Sequence, residues 1–256
     1  MKQNLLFLLS VLILAGTGCS KDEPDTQFNV NTDFVIDMKE NLSPTGGTLM
    51  FQVETVNDQE CLDTGIDFRF SRNASKVILS FLDLLPPEDC VRGSAPATVD
   101  INTGDLATID YQFEIDLREE VKSKGILNIL GDRYTVRFAE YSGFEFLEKE
   151  LLRIPRYTIW GYVNHTEGDE VVATDFIANL GENASAAVLE EGYYGWFKGA
   201  DSQITEMDNL PTERFNSLFV FEYDGTDETL ENLLSDFRVE NENMEVALFN
   251  WAGKSF

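Results

Sequence analysis

Few residues in this 256-residue chain are of a type that does chemistry, and they are widely spaced: Cys19, Cys61, Cys90, the single histidine His165, and the tryptophans Trp160, Trp196 and Trp251. Any Ser–His or Cys–His couple would have to use His165. It sits in Asn164-His165-Thr166-Glu167-Gly168-Asp169, a polar run that reads as a solvated hairpin turn. No Gly-rich phosphate loop, HExxH or GxSxG occurs. Hydrolysis by two carboxylates remains open, because 46 Asp and Glu supply many pairs and the sequence singles out none.

Oxygen ligands alternate in Asp100, Asn102 and Asp105, a weak calcium pattern. It departs from a twelve-residue calcium loop, with Gly104 and Asp105 where an acid and a glycine belong and Tyr111 at the bidentate glutamate position. A plain hairpin turn explains the same residues. Asp224-Gly225-Thr226-Asp227-Glu228 is a second acidic turn, equally well read as a helix cap. No CxxC is present, so no structural metal site and no other cofactor is expected.

The aromatic residues offer a different chemistry. Trp160-Gly161-Tyr162 and Tyr193-Tyr194-Gly195-Trp196-Phe197 put rings on alternate faces of β-runs. One face of such a strand is core. The other can be an exposed platform on which the C–H face of a sugar packs, which makes Trp160, Tyr162, Tyr194 and Trp196 the candidate ligand-binding residues.

The elements that must hold these residues are mainly β. Residues 28–143 show period-two alternation in Gly47–Glu54, Ile66–Phe70 and Ile109–Ile115, with further β-rich runs at 77–85, 126–130 and 134–138. Turn signals separate them, which predicts an immunoglobulin-like antiparallel β-sandwich. Phe144, Leu147, Leu151 and Ile154 recur at helical spacing and Pro155 follows, so 142–155 reads as a connector with a short helix. Residues 144–256 then read as a second β-rich, α+β domain. Its expected strands are 157–164, 170–177, 193–198, 218–223 and 244–251. A helix capped at Thr226 carries Leu230, Leu233, Leu234 and Phe237 on one face, and a second short helix is expected over 183–191.

The N-terminus carries an address. Lys2 precedes the apolar run Leu5–Leu14, then Ala15-Gly16-Thr17-Gly18 and Cys19. Ten residues of helix span ~15 Å, half of a ~30 Å hydrocarbon core, so residues 1–18 read as a signal peptide. A cysteine directly after small residues resembles the lipobox of bacterial lipoproteins, with Gly16 in place of the usual leucine. Ser20-Lys21-Asp22-Glu23 resembles the acidic export signal of surface-exposed lipoproteins of the Bacteroidota. The resemblance implies lipidation of Cys19, a tether over 19–27, and an outer-membrane protein anchored by lipid and facing the exterior. An exported chain meets oxidising conditions, so Cys61 and Cys90 are expected to pair in a disulfide, the alternative being two free thiols.

Charge limits the partners. Lys and Arg number 19 against 46 Asp and Glu, a net charge of −27, which excludes nucleic acid and anionic lipid headgroups as binding surfaces. Three functions stay open: a non-catalytic surface module binding a glycan or other extracellular ligand, a fimbrial or adhesin subunit, and a carboxylate-based glycoside hydrolase.

Overall fold

A computed structural model gives the structure, which describes residues 33–256. The expected signal peptide, Cys19 and the tether lie outside the described residues.

The first part of the chain forms β1 (Phe34–Asn41), β2 (Thr48–Cys61), β3 (Gly65–Arg72), β4 (Lys76–Leu85), β5 (Arg92–Asn102), β6 (Asp110–Leu117), β7 (Val121–Ile129), β8 (Arg133–Phe138), β9 (Phe144–Phe146) and β10 (Glu150–Leu152). One sheet has the order β5-β2-β1-β9 and the other β10-β8-β7-β6-β4-β3. Their inner faces meet through period-two alternation. Leu49, Phe51 and Val53 of β2 point inward, as do Tyr111, Phe113, Ile115 and Leu117 of β6. Phe51 stacks on Phe113 at 5.4 Å and Phe34 on Phe81 at 4.8 Å, so the layers interlock as a β-sandwich. Each ring buried this way contributes about 1.5–3 kcal/mol of apolar transfer.

The second part adds β11 (Thr158–His165), α1 (Glu170–Glu182), β12 (Ser185–Ala186), β13 (Gly192–Tyr193), β14 (Phe197–Ala200), β15 (Gln203–Met207), β16 (Phe215–Glu222), α2 (Asp227–Glu240) and β17 (Glu245–Asn250). A sheet of order β12-β16-β11-β17 carries both helices on one face, where Phe176, Leu180, Leu234 and Phe237 pack on Ile159, Phe219 and Leu248. Its other face packs Trp160 and Val220 against Phe197 and Leu189, under the small sheet β13-β14-β15. The fold is therefore mainly β and antiparallel, with a sandwich followed by an α+β unit, as the sequence predicts. Thr226 caps α2 by accepting from the Thr229 N–H at 3.3 Å, also as predicted.

Four local expectations change. Residues 193–198 are not one strand: β13 ends at Tyr193, a turn follows with Gly195 at φ 82°, and β14 begins at Phe197. Residues 142–155 hold two strands rather than a helix: Leu147, counted on the helical face, is 60% exposed, while Phe144 and Phe146 alternate inward beside β1 in parallel. Residues 170–177 are the start of α1, not a strand. Ala173, Phe176 and Leu180 form the buried stripe, and the β-branched Val171 and Val172 that suggested a strand face solvent. The helix expected over 183–191 is an irregular segment with the two-residue β12. Strand β5 was hidden by Gly93 and Pro96, which the fold accommodates because β5 is an edge strand with register shifts against β2.

The two parts are bound along β1. Its inner face (Phe34, Ile36, Met38) belongs to the sandwich core, yet Asp37 and Lys39 on the opposite face are only 7% and 6% exposed. The second part covers them. The short β10 straddles both cores, with Leu151 in the sandwich and Leu152 against Trp160 and its neighbours.

Candidate functional site

Where β1 ends, a cleft of about 420 Å3 opens between the two parts. Asn41 and Leu42 line it from the sandwich. Trp160 and Tyr162 of β11, Trp196, Asp208, Asn209 and the C-terminal turn after β17 line it from the other side. The volume falls in the range of small-ligand pockets, and rings beside amide and carboxylate groups make it partly apolar and partly hydrogen-bonding.

Trp196 is positioned by Gly195. That glycine has φ 82°, and a Cβ there would lie 3.2 Å from the Lys39 Cα, so only glycine lets this loop lie flat on β1. The Trp196 carbonyl accepts from the Asp208 N–H at 3.1 Å, and the Lys39 ammonium lies 5.2 Å from the indole centroid. Lys39 also donates to Asp208 at 3.3 Å, which fixes that carboxylate at the cleft wall. The Trp196 Nε1–H is buried and has no protein acceptor among the described residues. Tyr162, half-buried, donates to Glu245 at 3.4 Å; burial first, then that carboxylate, raise its hydroxyl pKa.

Behind this wall lies Asp37. Its Oδ2 accepts from the Tyr193 hydroxyl at 2.7 Å and stands 3.7 Å from the Lys39 ammonium, while its Oδ1 is buried without a donor. Burial pushes the Asp37 carboxyl above its ordinary range, and the Tyr193 bond and Lys39 pull it only partly back. Burial and Asp37 together push Tyr193 far up, so it stays a donor at all ordinary pH. Asp37 and Asp208 thus flank one ammonium, and Asp208 alone of the two lines the cleft.

The sequence candidates divide. Trp160, Tyr162 and Trp196 converge on the cleft, although Trp160 is 2% exposed and stacks on Phe249 at 6.0 Å as core. Tyr194 is core outright, stacked on Phe197 at 5.1 Å and donating to the Glu190 carbonyl. Asn41, Lys39, Asp208 and Asn209 carried no sequence signal, because only the fold brings β1 to them.

Asp100, Asn102 and Asp105 do not assemble a calcium site. Asp100 accepts from Gln52, Asn102 accepts from the Gly104 N–H, and the Arg72 guanidinium takes the Thr103 and Asp105 carbonyls. Among the described residues no three His, Cys, Asp or Glu side chains group as metal ligands. Asp227 of the second acidic turn pairs with Lys254 at 2.9 Å.

Cys61 and Cys90 are bonded, with Cα atoms 5.3 Å apart. His165 corrects its expectation: it ends β11, is 3% exposed, and uses both ring nitrogens, on the Thr166 carbonyl at 2.8 Å and the Ser217 hydroxyl at 3.0 Å. A Ser–His contact exists, but it is closed to a substrate. No helix among the described residues is long and apolar enough to cross a membrane. No family model, curated protein or solved structure matches the chain.

Proposed function

We propose that this chain is a lipid-anchored protein of the outer-membrane surface whose folded part binds a glycan in the Trp196 cleft without transforming it. One observation carries the reading. Trp196 and Tyr162 are only partly buried and flank the same cleft as Asn41, Asp208 and Asn209, so ring faces and hydrogen-bonding groups converge on one small volume. A sugar offers the complement, an apolar C–H face rimmed by hydroxyls.

Binding is favoured over hydrolysis because Asp208, the carboxylate that lines the cleft, is tied to Lys39, and Asp37 on the other side of that ammonium is closed off behind it. A subunit that exchanges a strand is disfavoured by the position of β1, which is held between β2 and β9 rather than at a sheet edge.

The test is retention of the leaderless chain on immobilised neutral glycans, followed by titration with the retained one. Trp196→Ala is expected to weaken binding at least tenfold while circular dichroism stays that of the wild type. Trp160→Ala, in the core, is expected instead to cost about 3–5 kcal/mol in urea unfolding. Unchanged affinity in Trp196→Ala would remove the cleft from the binding reaction. Protease treatment of intact cells tests the address: a surface protein is digested and an inward-facing one survives.

A further inference from the structure

A second hollow, of about 620 Å3, shares Leu42 with the first and is walled by Glu40, Asp132, Arg153, Arg156 and Trp251. One of its cations is unusual for the second part of the chain. Residues 144–256 contain seven Lys and Arg against 23 Asp and Glu. Six of the seven are engaged by protein acceptors: Lys149 with the Tyr141 hydroxyl, Arg153 with Glu40, Lys198 with Glu148, Arg214 and Arg238 with main-chain carbonyls, and Lys254 with Asp227 and Glu231. Arg156 has no such acceptor among the described residues. Its guanidinium lies over the Trp251 ring at 5.0 Å and near Tyr157 at 5.9 Å.

The backbone holds Arg156 in place. Thr158 N–H donates to the Pro155 carbonyl at 3.2 Å, closing a turn with Arg156 and Tyr157 at its corner. Tyr157 sits at φ 68°, a left-handed conformation that a bulky residue adopts only when its surroundings enforce it. Arg153, beside this turn, is fixed by Glu40 at 2.7 Å and the Gly47 carbonyl at 3.0 Å, which occupy its Nε and Nη2 and leave Nη1 uncommitted among the described residues. Glu40 is matched by Arg153 at 2.7 Å and Asp132 is drawn to Arg133 at 2.8 Å, which it shares with Glu150 and Glu190, so Arg156 is the cation of the hollow left without a carboxylate.

We propose that this hollow is an anion subsite in which Arg156 pairs with a carboxylate or sulfate carried on the sugar chain that occupies the neighbouring cleft. That a sugar bears the anion rests on the glycan reading above; the selection of an anion does not. A planar guanidinium already stacked on a ring loses little freedom when it takes a two-oxygen anion, and such charge-assisted pairs are the strong ones. Against a net charge of −27, an arginine without a carboxylate partner beside a second, partly uncommitted arginine is a local exception that favours an anion.

The experiment titrates the full chain with cellobiouronic acid, cellobiose and sodium sulfate, following the indole N–H resonances of Trp196 and Trp251 by NMR as separate reporters of the two clefts. The acid is expected to bind at least tenfold more tightly than cellobiose at low ionic strength, with the difference shrinking as NaCl is added. Arg156→Gln is expected to abolish that difference and the Trp251 shift while leaving cellobiose at Trp196 unchanged. If cellobiose binds normally and the acid binds no better, or if Arg156→Gln leaves the acid's affinity intact, the anion subsite is overturned and the glycan reading survives. If neither sugar binds while sulfate still shifts Trp251 in the wild type and not in Arg156→Gln, the anion subsite stands and the glycan reading falls.

Discussion

At the scale of single residues, the informative group is Asp37, a carboxylate in the seam between the two parts. Burial raises its pKa above the ordinary 3.8, so the folded protein holds that proton more readily than the unfolded chain does. Its contribution to stability is therefore full below about pH 3.8 and is lost as the pH climbs through the raised value. Asp37→Asn removes that loss. The variant is expected to match the wild type in urea at acid pH and to exceed it near neutrality; a wild type that gains on Asp37→Asn as pH rises would contradict the burial argument. The same residues mark what the sequence could show of the site. It pointed to Trp160, Tyr162, Tyr194 and Trp196, because rings in alternating runs are visible. Alternation gives a period and not a direction, so the burial of Trp160 could not be read, and it would put Tyr194 and Trp196 on one face, whereas a turn at Gly195 sends Tyr194 to the core and Trp196 to the cleft. Lys39 and Asp208, 169 positions apart, leave no local trace at all.

At the scale of elements, legibility followed how much of a signal was local. The α2 cap at Thr226 and the alternating β2 and β6 were read correctly, since cap chemistry and a half-buried face are written within a few residues. Residues 144–152 were misread because their strands exist only by completing partners over a hundred residues earlier or in β8. The start of α1 was misread because its β-branched residues lie on the solvent side, where propensity is overridden by the packing of the buried stripe. The Cys61–Cys90 bond belongs to this scale too. It staples the end of β2 to the segment entering β5, across a sequence separation of 29, and spans the β3–β4 hairpin. Closing a loop of that length restricts the unfolded chain by about 3–4 kcal/mol. Cys61→Ser with Cys90→Ser is expected to lower urea stability by about that amount while leaving the Trp196 cleft intact, as read by ligand titration.

At the scale of the molecule, the seam between the two parts is polar, buried at Asp37, Lys39 and Tyr193 and open to solvent at its rim. Tyr193 reaches across to Asp37, Lys39 to Asp208, Arg133 to Glu190 and Lys198 to Glu148. All three tryptophans lie beyond residue 156, so fluorescence reports the second part, while far-ultraviolet circular dichroism weighs the long strands of the first. The two signals are expected to coincide in wild-type urea unfolding. Tyr193→Phe strips Asp37 of its hydrogen-bond donor and is expected to cost about 1–3 kcal/mol, with fluorescence changing before circular dichroism. Coincident curves in the variant would mean that the seam is held elsewhere. The parallel pairing of β1 with β9 bears on how such a chain is made. Synthesis delivers β1 first and β9 some hundred residues later, so the emerging chain carries Phe34–Ile36 of β1 with one edge unpaired until residues 144–146 arrive. A sheet that depends on so late a partner closes slowly. The sandwich is thus expected to close only after residues 144–152 have been made, more than halfway through synthesis.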